Sequence, residues 1–476
     1  MDAATRVGSG TEVRLGTRVE SGRAARLRVS PDALGVIADE VLADDSNRDA
    51  TGLLLRQAES RVPSLIPIRH GRMARTAFTF YRGAALIMAD DLARTPNSGL
   101  TVQLCGDAHL SNFGFFATPE RRLAFDVNDF DETYPGPFEW DVKRLVASLV
   151  VAGRDNGFGR KEARKVARAA AQEYRETMTA QAELGTLACW YSHAEPTDRL
   201  VAIRKLVDES TVAEVRKQIR KAWRRDSEQA LSKLTTVVDG RIGFVSAPPL
   251  IAPLEEIVPE DAIGEMYAQL QHRLASFRST MAPHHRVLLD KFEFVRMARK
   301  VVGVGSVGTQ AWVLLLRGKG DDDPLLLQAK EAQRSVLADY VEGPQYANEG
   351  ERVVFGQRLT QAVSDVFLGW DSGPGYDGTV RDFYLRQLRD AKGSILIEAL
   401  GPTALSAYGR ACGRVLAFGH ARSGDPVAIS EYLGDTDEFD RAMGTFADAY
   451  ARRNERDHAA FTAAIDQGLI AAEMGV

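Results

Sequence analysis

Cysteine is scarce. Cys105, Cys189 and Cys412 are the three in 476 residues, and their spacing matches no metal-ligand pattern. They read as reduced thiols of a cytosolic protein. Positive charge is not in excess either: the formal net charge is -5, which gives no support for nucleic acid or an anionic membrane as the main partner. No run is long and apolar enough to span a bilayer, so no membrane insertion is expected. Residues 1–30 have no apolar h-region, which argues against a secretory signal, and no periodicity, so they read as a loose tail. Internal repeats and low-complexity tracts are missing as well. These absences together point to a cytoplasmic protein. At 45% hydrophobic and 26% charged, the composition is that of a globular chain long enough for two or three domains or one large two-lobed unit.

Patterning divides the chain near residue 290. Before it, helices are expected from Ser30-Pro31-Asp32, over 76–95, over 138–153, around 159–182 and 210–234, and over 261–279. Short strands are expected at Val102–Cys105, Asn112–Phe116 and Leu123–Val127. The helix at 210–234 carries Arg216, Lys217, Arg220, Lys221, Arg224 and Arg225, which read as a solvated face. Asp239-Gly240 between apolar runs signals a hairpin. Residues 292–332 then alternate as three antiparallel strands, with turns at Gly303–Gly308 and Gly320–Pro324. A helix near 349–362, a strand at Tyr384–Leu388 and helices at 402–421 and 437–466 complete the chain.

The chemistry concentrates in residues 105–132, which contain Gly106-Asp107-Ala-His109-Leu-Ser-Asn112 and then Asn128-Asp129-Phe130-Asp131. Asp107 is placed to accept or orient the proton of an attacking hydroxyl, while Asn112 and Asp129 are candidate oxygen ligands for Mg²⁺. Turn and cap aspartates are the bland reading, but that leaves the order acid, amide, acid on a loop-strand-strand frame unexplained. His109 is given a bracing role. Asp141 is expected to cap a helix or tie down the catalytic loop, and His420 reads as a helix C-terminal histidine.

Gly303-Val-Gly305-Ser306-Val-Gly308 fits G-x-G-x-x-G. A dinucleotide site would open a helix after the third glycine, whereas Thr309–Leu316 is strand-like. A glycine hairpin between two strands is the cover that protein kinases place over ATP phosphates. Lys330, at the end of the next apolar strand, matches the kinase lysine that binds the α- and β-phosphates. Glu351 is the candidate partner for that lysine, with Glu349 and Glu331 as rivals.

These residues resemble the aminoglycoside phosphotransferase and choline-kinase branch of the protein-kinase-like fold. Cys105-Gly-Asp107-Ala-His109-Leu-Ser-Asn112 stands for its H-G-D-x-H-x-x-N, Asn128-Asp129-Phe130-Asp131 for its I-D-F-D, and Gly136–Leu145 for the helix that follows. Over most of its length, with Phe80-Tyr-Arg-Gly-Ala84 and His420-Ala-Arg-Ser-Gly-Asp425, the chain is similar to the bacterial family called domain of unknown function 2252. Two departures stand out. Cys105 replaces the usual histidine, so the loop must be braced differently. The glycine loop and lysine follow the catalytic loop instead of preceding it.

The resemblance therefore implies an α+β, two-lobed kinase-like fold with permuted lobe order. Residues 31–290 and 401–476 would form the helical C-lobe, and 291–400 the small antiparallel-sheet N-lobe. It implies ATP- and Mg²⁺-dependent phosphoryl transfer to a hydroxyl of a small molecule or protein. Nucleotidyl transfer on the same fold and a non-catalytic nucleotide-binding module are the alternatives.

Overall fold

Helical spacing dominates the first half of the chain and strand alternation takes over near residue 292. The structure, a computed structural model, describes residues 4–37, 48–194, 234–238, 241–301, 303–320, 323–375, 378–388 and 396–475. The basic run 216–225 and the Asp239-Gly240 turn lie outside them.

The chain begins with helices α1 (Ala4–Arg28), α2 (Ala50–Ala58), α3 (Ile66–Ala74), α4 (Ala77–Gly83) and α5 (Ala85–Ala93). Strands β1 (Thr101–Leu104), β2 (Phe113–Ala117), β3 (Leu123–Val127) and β4 (Tyr134–Pro137) follow. They form two small antiparallel pairs, β1 with β4 and β2 with β3. Next come α6 (Glu139–Asp155), α7 (Arg160–Ala182) and α8 (Thr186–Tyr191), and then a paired β5 (Thr235–Val238) and β6 (Arg241–Phe244). The second half holds β7 (Ile251–Pro253), α9 (Glu260–Thr280), α10 (Pro283–Leu289), β8 (Glu293–Lys300), β9 (Ala311–Arg317) and β10 (Pro324–Ala332). After these come α11 (Glu349–Thr360), β11 (Gly369–Pro374), β12 (Val380–Gln387), α12 (Pro402–Ser423), α13 (Pro426–Leu433) and α14 (Glu438–Asp466).

Mixed α+β architecture follows from two cores. Every residue of α6 from Glu139 to Gly153 is buried, so this helix is enclosed by others rather than amphipathic. Leu145, Val146, Leu149 and Val150 of α6 share one core with Tyr174 of α7, Leu416 of α12 and Phe446 of α14. The second core lies on an antiparallel six-stranded sheet of order β11-β12-β10-β9-β8-β7. Strand alternation sends Trp312, Leu314, Leu316, Leu325 and Leu327 to one face, where they meet Phe277 of α9 and Met281 just beyond it. The other face carries Val313, Leu315 and Leu326, packed with Leu234 and with Phe244 of β6. The three strands expected over 292–332 are β8, β9 and β10, paired in that order. β7 and α9, from before residue 290, join this sheet unit.

Three elements differ from the sequence expectation. The expected tail contains a helix, α1, held from outside by its arginines. Arg18 pairs with Asp425 at 2.7 Å, and Arg26 donates to the terminal carbonyl of Tyr432 at 2.7 Å. Local patterning carries no sign of such long-range anchors. The helix expected at 76–95 is two helices broken at Ala84, whose φ of -109° and ψ of 31° leave the helical region. β10 runs on past the expected Leu325–Leu327 through Ala332, so Lys330 lies within the strand, near its end and opposite Tyr384 of β12. Among the described residues no helix is long and apolar enough to cross a membrane, and all three cysteines are free and buried.

Candidate functional site

β1 runs into the loop that carries Asp107. Gly106 turns the chain with φ +84°, and a Cβ there would lie 2.1 Å from the Glu132 carbonyl oxygen, so glycine alone is accommodated. The loop is anchored from below by Asp141 in the first turn of α6. Its carboxylate accepts from the Cys105 N–H at 2.7 Å and the Gly106 N–H at 3.1 Å. His420 of α12 places Nε2 3.3 Å from Asp141 Oδ2, and its Nδ1 lies 2.9 Å from the Tyr174 hydroxyl. Asp141 thus ties the loop down, and His420, in the last turn of its helix as expected, is also a buried brace behind it. The bracing that Cys105 cannot supply comes from the other end of the chain.

Asp107 itself is held by Arg144, whose Nε donates to Oδ1 at 2.8 Å. Oδ2 lies 3.6 Å from His109 Nε2. His109 caps the turn Leu110–Asn112 by accepting from the Ser111 N–H, and burial lowers it to about 4, so it stays neutral and braces the loop. Asn112 donates from Nδ2 to the Asp107 carbonyl at 2.8 Å, leaving its amide oxygen for another partner.

The β2–β3 hairpin brings the second acid back to the first. Phe113 pairs with Val127, and the Asn128 N–H donates to the Asn112 carbonyl at 2.7 Å, so Asp129 emerges beside Asn112. Lys330 arrives from β10, 201 residues later, with Nζ 3.3 Å from Asp129 Oδ2. The same ammonium pairs with Asp131, which also accepts from the Tyr384 hydroxyl at 2.7 Å. Burial pushes Asp129 upward, but Lys330 and Arg386 outweigh it and hold the carboxyl well below its usual range. Asp131, buried beside that charge, is pushed up. Burial alone would lower Lys330, and the two aspartates instead hold it above its ordinary value.

Between these groups and the glycine hairpin lies a cavity of about 410 Å³. Asp107, Asn112, Asp129, Gly303, Gly305 and Ser306 all line it. Gly303 has φ +68°, and its carbonyl accepts from Arg72 at 2.7 Å. Gly308 is set apart from the cavity lining. Its φ is +95° and its carbonyl accepts from the Val62 N–H at 2.8 Å, so it pins the hairpin to the helical region.

Glu351 does not pair with Lys330. It lies in the first turn of α11, where its N–H is capped by Asn348, and the partners of Lys330 are Asp129 and Asp131. Of the rivals, Glu349 pairs with Arg352, and Glu331 accepts from the Gln310 N–H. The neighbouring strand residue Tyr384 and the helix residue Arg144 carry no motif of their own, and the sequence reading missed both. Arg144 stands three residues after Asp141, on the same face of α6, which is the one local signal that could have found it. Among the described residues no three His, Cys, Asp or Glu side chains converge on a metal site. The donors on hand are oxygens from Asn112 and Asp129, a set that suits Mg²⁺, which commonly takes one or two protein ligands and fills its shell with phosphate and water.

No curated protein and no solved structure matches the chain. A family model described as an uncharacterized protein conserved in bacteria matches residues 61–464, a span that includes the Asp107–Asn112 loop, the glycine hairpin and His420. The chain therefore belongs to the domain of unknown function 2252 family (DUF2252).

Proposed function

We propose that this protein is an ATP- and Mg²⁺-dependent phosphotransferase acting on a hydroxyl, built as a kinase-like pair of lobes in permuted order. The observation that carries the proposal is the pairing of Lys330 with Asp129 at 3.3 Å across the lobes, beside a cavity shared by Asp107 and the glycine hairpin. In this reading Gly303, Gly305 and Ser306 offer backbone amides to the phosphates, and Lys330 neutralises them once Asp129 turns to the metal. Asn112 and Asp129 would hold Mg²⁺, whose chemistry when bound is to offset charge on the phosphate oxygens. Asp107, oriented by Arg144, keeps an oxygen for the acceptor hydroxyl and takes its proton as the oxygen–phosphorus bond forms.

A second reading, nucleotidyl transfer with the nucleotide reversed, is favoured by one feature. Part of the sheet face that carries Lys330 is covered by Leu234 and Phe244, which removes apolar surface on which a base could stack. The test is to incubate the purified chain with Mg-ATP and hydroxyl-bearing acceptors and quantify ADP and pyrophosphate. ADP release that Asp107→Ala abolishes supports phosphoryl transfer, and pyrophosphate release supports nucleotidyl transfer. Thermal stabilisation by Mg-ATP with neither product would sink both and leave a binding module.

A further inference from the structure

The cavity has a second wall that the proposed reaction leaves unused. Residues 61–82 contain five arginines, Arg61, Arg69, Arg72, Arg75 and Arg82, and no acidic residue. Arg61 from the segment before α3, Arg69 of α3 and Arg82 of α4 all line the same cavity that Asp107 and Gly305 line. Arg69 is fully buried and Arg61 is 7% exposed. Among the described residues Arg61 Nε, Arg69 Nε, Arg69 Nη1 and Arg82 Nε are buried without a hydrogen-bond partner. The partners these side chains do have are neutral: Arg61 donates to the Val307 carbonyl at 2.6 Å, and Arg69 to Gln57 Oε1 at 2.9 Å and the Gly83 carbonyl at 3.0 Å.

The carboxylates of the cavity, Glu331 with its bond from the Gln310 N–H among them, take their hydrogen bonds from groups other than these arginines. Asp107 is held by Arg144, Asp129 and Asp131 by Lys330, and Glu132 accepts from the Val336 N–H at 2.8 Å. A guanidinium does not discharge in a protein, so burial leaves a cation whose free N–H groups must find an acceptor. Desolvation lowers all three arginines; Glu132, Glu331 and Asp131 oppose it at Arg61, Asp107 and Glu398 oppose it at Arg82, and at Arg69 the charge of Arg61 adds to it. Removing such a group from water is costly, the nearby carboxylates offset the cost only in part, and N–H groups on all three arginines are left for a further anion. The planar fork of arginine matches the oxygens of a phosphoryl group.

We propose that Arg61, Arg69 and Arg82 form a cradle for a phosphate-class oxyanion, in the same cavity that Asp107 and Asp129 line. It rests on the reading of this cavity as the reaction site and narrows it: the ligand set carries a phosphoryl group beyond the one held by the lysine. That group belongs either to the nucleotide's own phosphate chain or to a phosphorylated acceptor.

Inorganic pyrophosphate, added to the full chain without divalent metal, is the probe, read by calorimetry and by thermal shift. Saturable binding and a raised Tm are expected. Arg69→Gln and Arg82→Gln should each weaken binding roughly 10- to 100-fold, the range for a charge-assisted hydrogen bond. Arg82 is half-buried near the end of a short helix, so Arg82→Gln carries the test if Arg69→Gln fails to fold. No Tm shift in the wild type, or undiminished binding in the Arg82 variant, overturns the cradle. Asp129→Asn should keep pyrophosphate binding while losing Mg-ATP turnover, so the cradle and the transfer reaction fail separately. Competition between pyrophosphate and a non-hydrolysable Mg-ATP analogue supports the cradle and assigns it to the nucleotide. Simultaneous binding supports it and assigns it to the acceptor.

Discussion

The two walls of the cavity hold charge in opposite ways. On one wall Asp107, Asp129 and Asp131 each meet a cation, Arg144 or Lys330, that arrives from a distant part of the fold. On the other, Arg61 and Arg69 donate to carbonyls and an amide, and among the described residues the Nε of Arg61, Arg69 and Arg82 is buried without a hydrogen-bond partner. The acidic wall is electrostatically closed in the structure as it stands. The arginine charge is offset only in part, by carboxylates that hydrogen-bond elsewhere. Paired charges stabilise the fold and can be released when a ligand competes for them, whereas unpaired buried cations contribute little to the resting fold and gain when an anion arrives. The difference separates residues whose loss unfolds the site from residues whose loss empties it.

The sharpest break of this contrast is chemical. Asp107→Ala should reduce ADP release by roughly 10²- to 10⁴-fold, the range for general acid–base groups, while Mg-ATP still raises Tm. Retained turnover would remove Asp107 from the reaction. A stability comparison comes next. Lys330→Met leaves Asp129 and Asp131, 32% and 26% exposed at the side chain, without their cation. It should cost about 2–4 kcal/mol in urea unfolding, somewhat below the range for a fully buried pair because the carboxylates keep some water. Arg82→Met, on the arginine wall, should change stability by less than about 1 kcal/mol. Equal losses in the two variants would erase the distinction between the walls.

Behind the acidic wall, Asp141→Ala frees two backbone N–H groups and the His420 contact, and should cost about 3 kcal/mol together with much of the activity. Tyr384→Phe removes one hydrogen bond from Asp131 and should cost about 1 kcal/mol, with turnover largely kept. The smallest effect is in pH. Burial raises Glu132 from its ordinary 4.5 to about 7, so the folded state binds its proton more tightly than the unfolded chain does. Its contribution is complete below about pH 4.5 and is lost as pH rises through 7. Wild-type Tm should therefore fall between pH 5.5 and 8 by more than that of Glu132→Gln. Identical slopes would place Glu132 in water rather than in the cavity.

Much of the site was legible because its parts are local. Asp107, Asn112 and Asp129 fall within 23 residues, and the hairpin that joins them is marked by alternating apolar residues and a turn. The glycine hairpin and its flanking strands were legible for the same reason. Glu351 was misjudged as the lysine's partner because helix α11 presents several acids, and which one reaches a strand depends on how that helix docks. His420 looked ordinary because nothing in its own helix mentions Asp141, 279 residues earlier. The arginine wall left a trace, a segment with five arginines and no acid, but composition alone reads equally as a solvated surface.

The sequence by itself determined the mixed helix and strand content, the three strands over 292–332, and the acid-amide-acid loop with its glycine turn. Those features depend on periodicity and on backbone conformations that only certain residues adopt. Tertiary structure decided what local pattern cannot encode: that Lys330 closes on Asp129, that α12 braces a loop made from the other end of the chain, and that α3 and α4 turn their arginines inward. Each is a contact between segments far apart in sequence, fixed by which apolar faces bury together and not by the residues immediately around it.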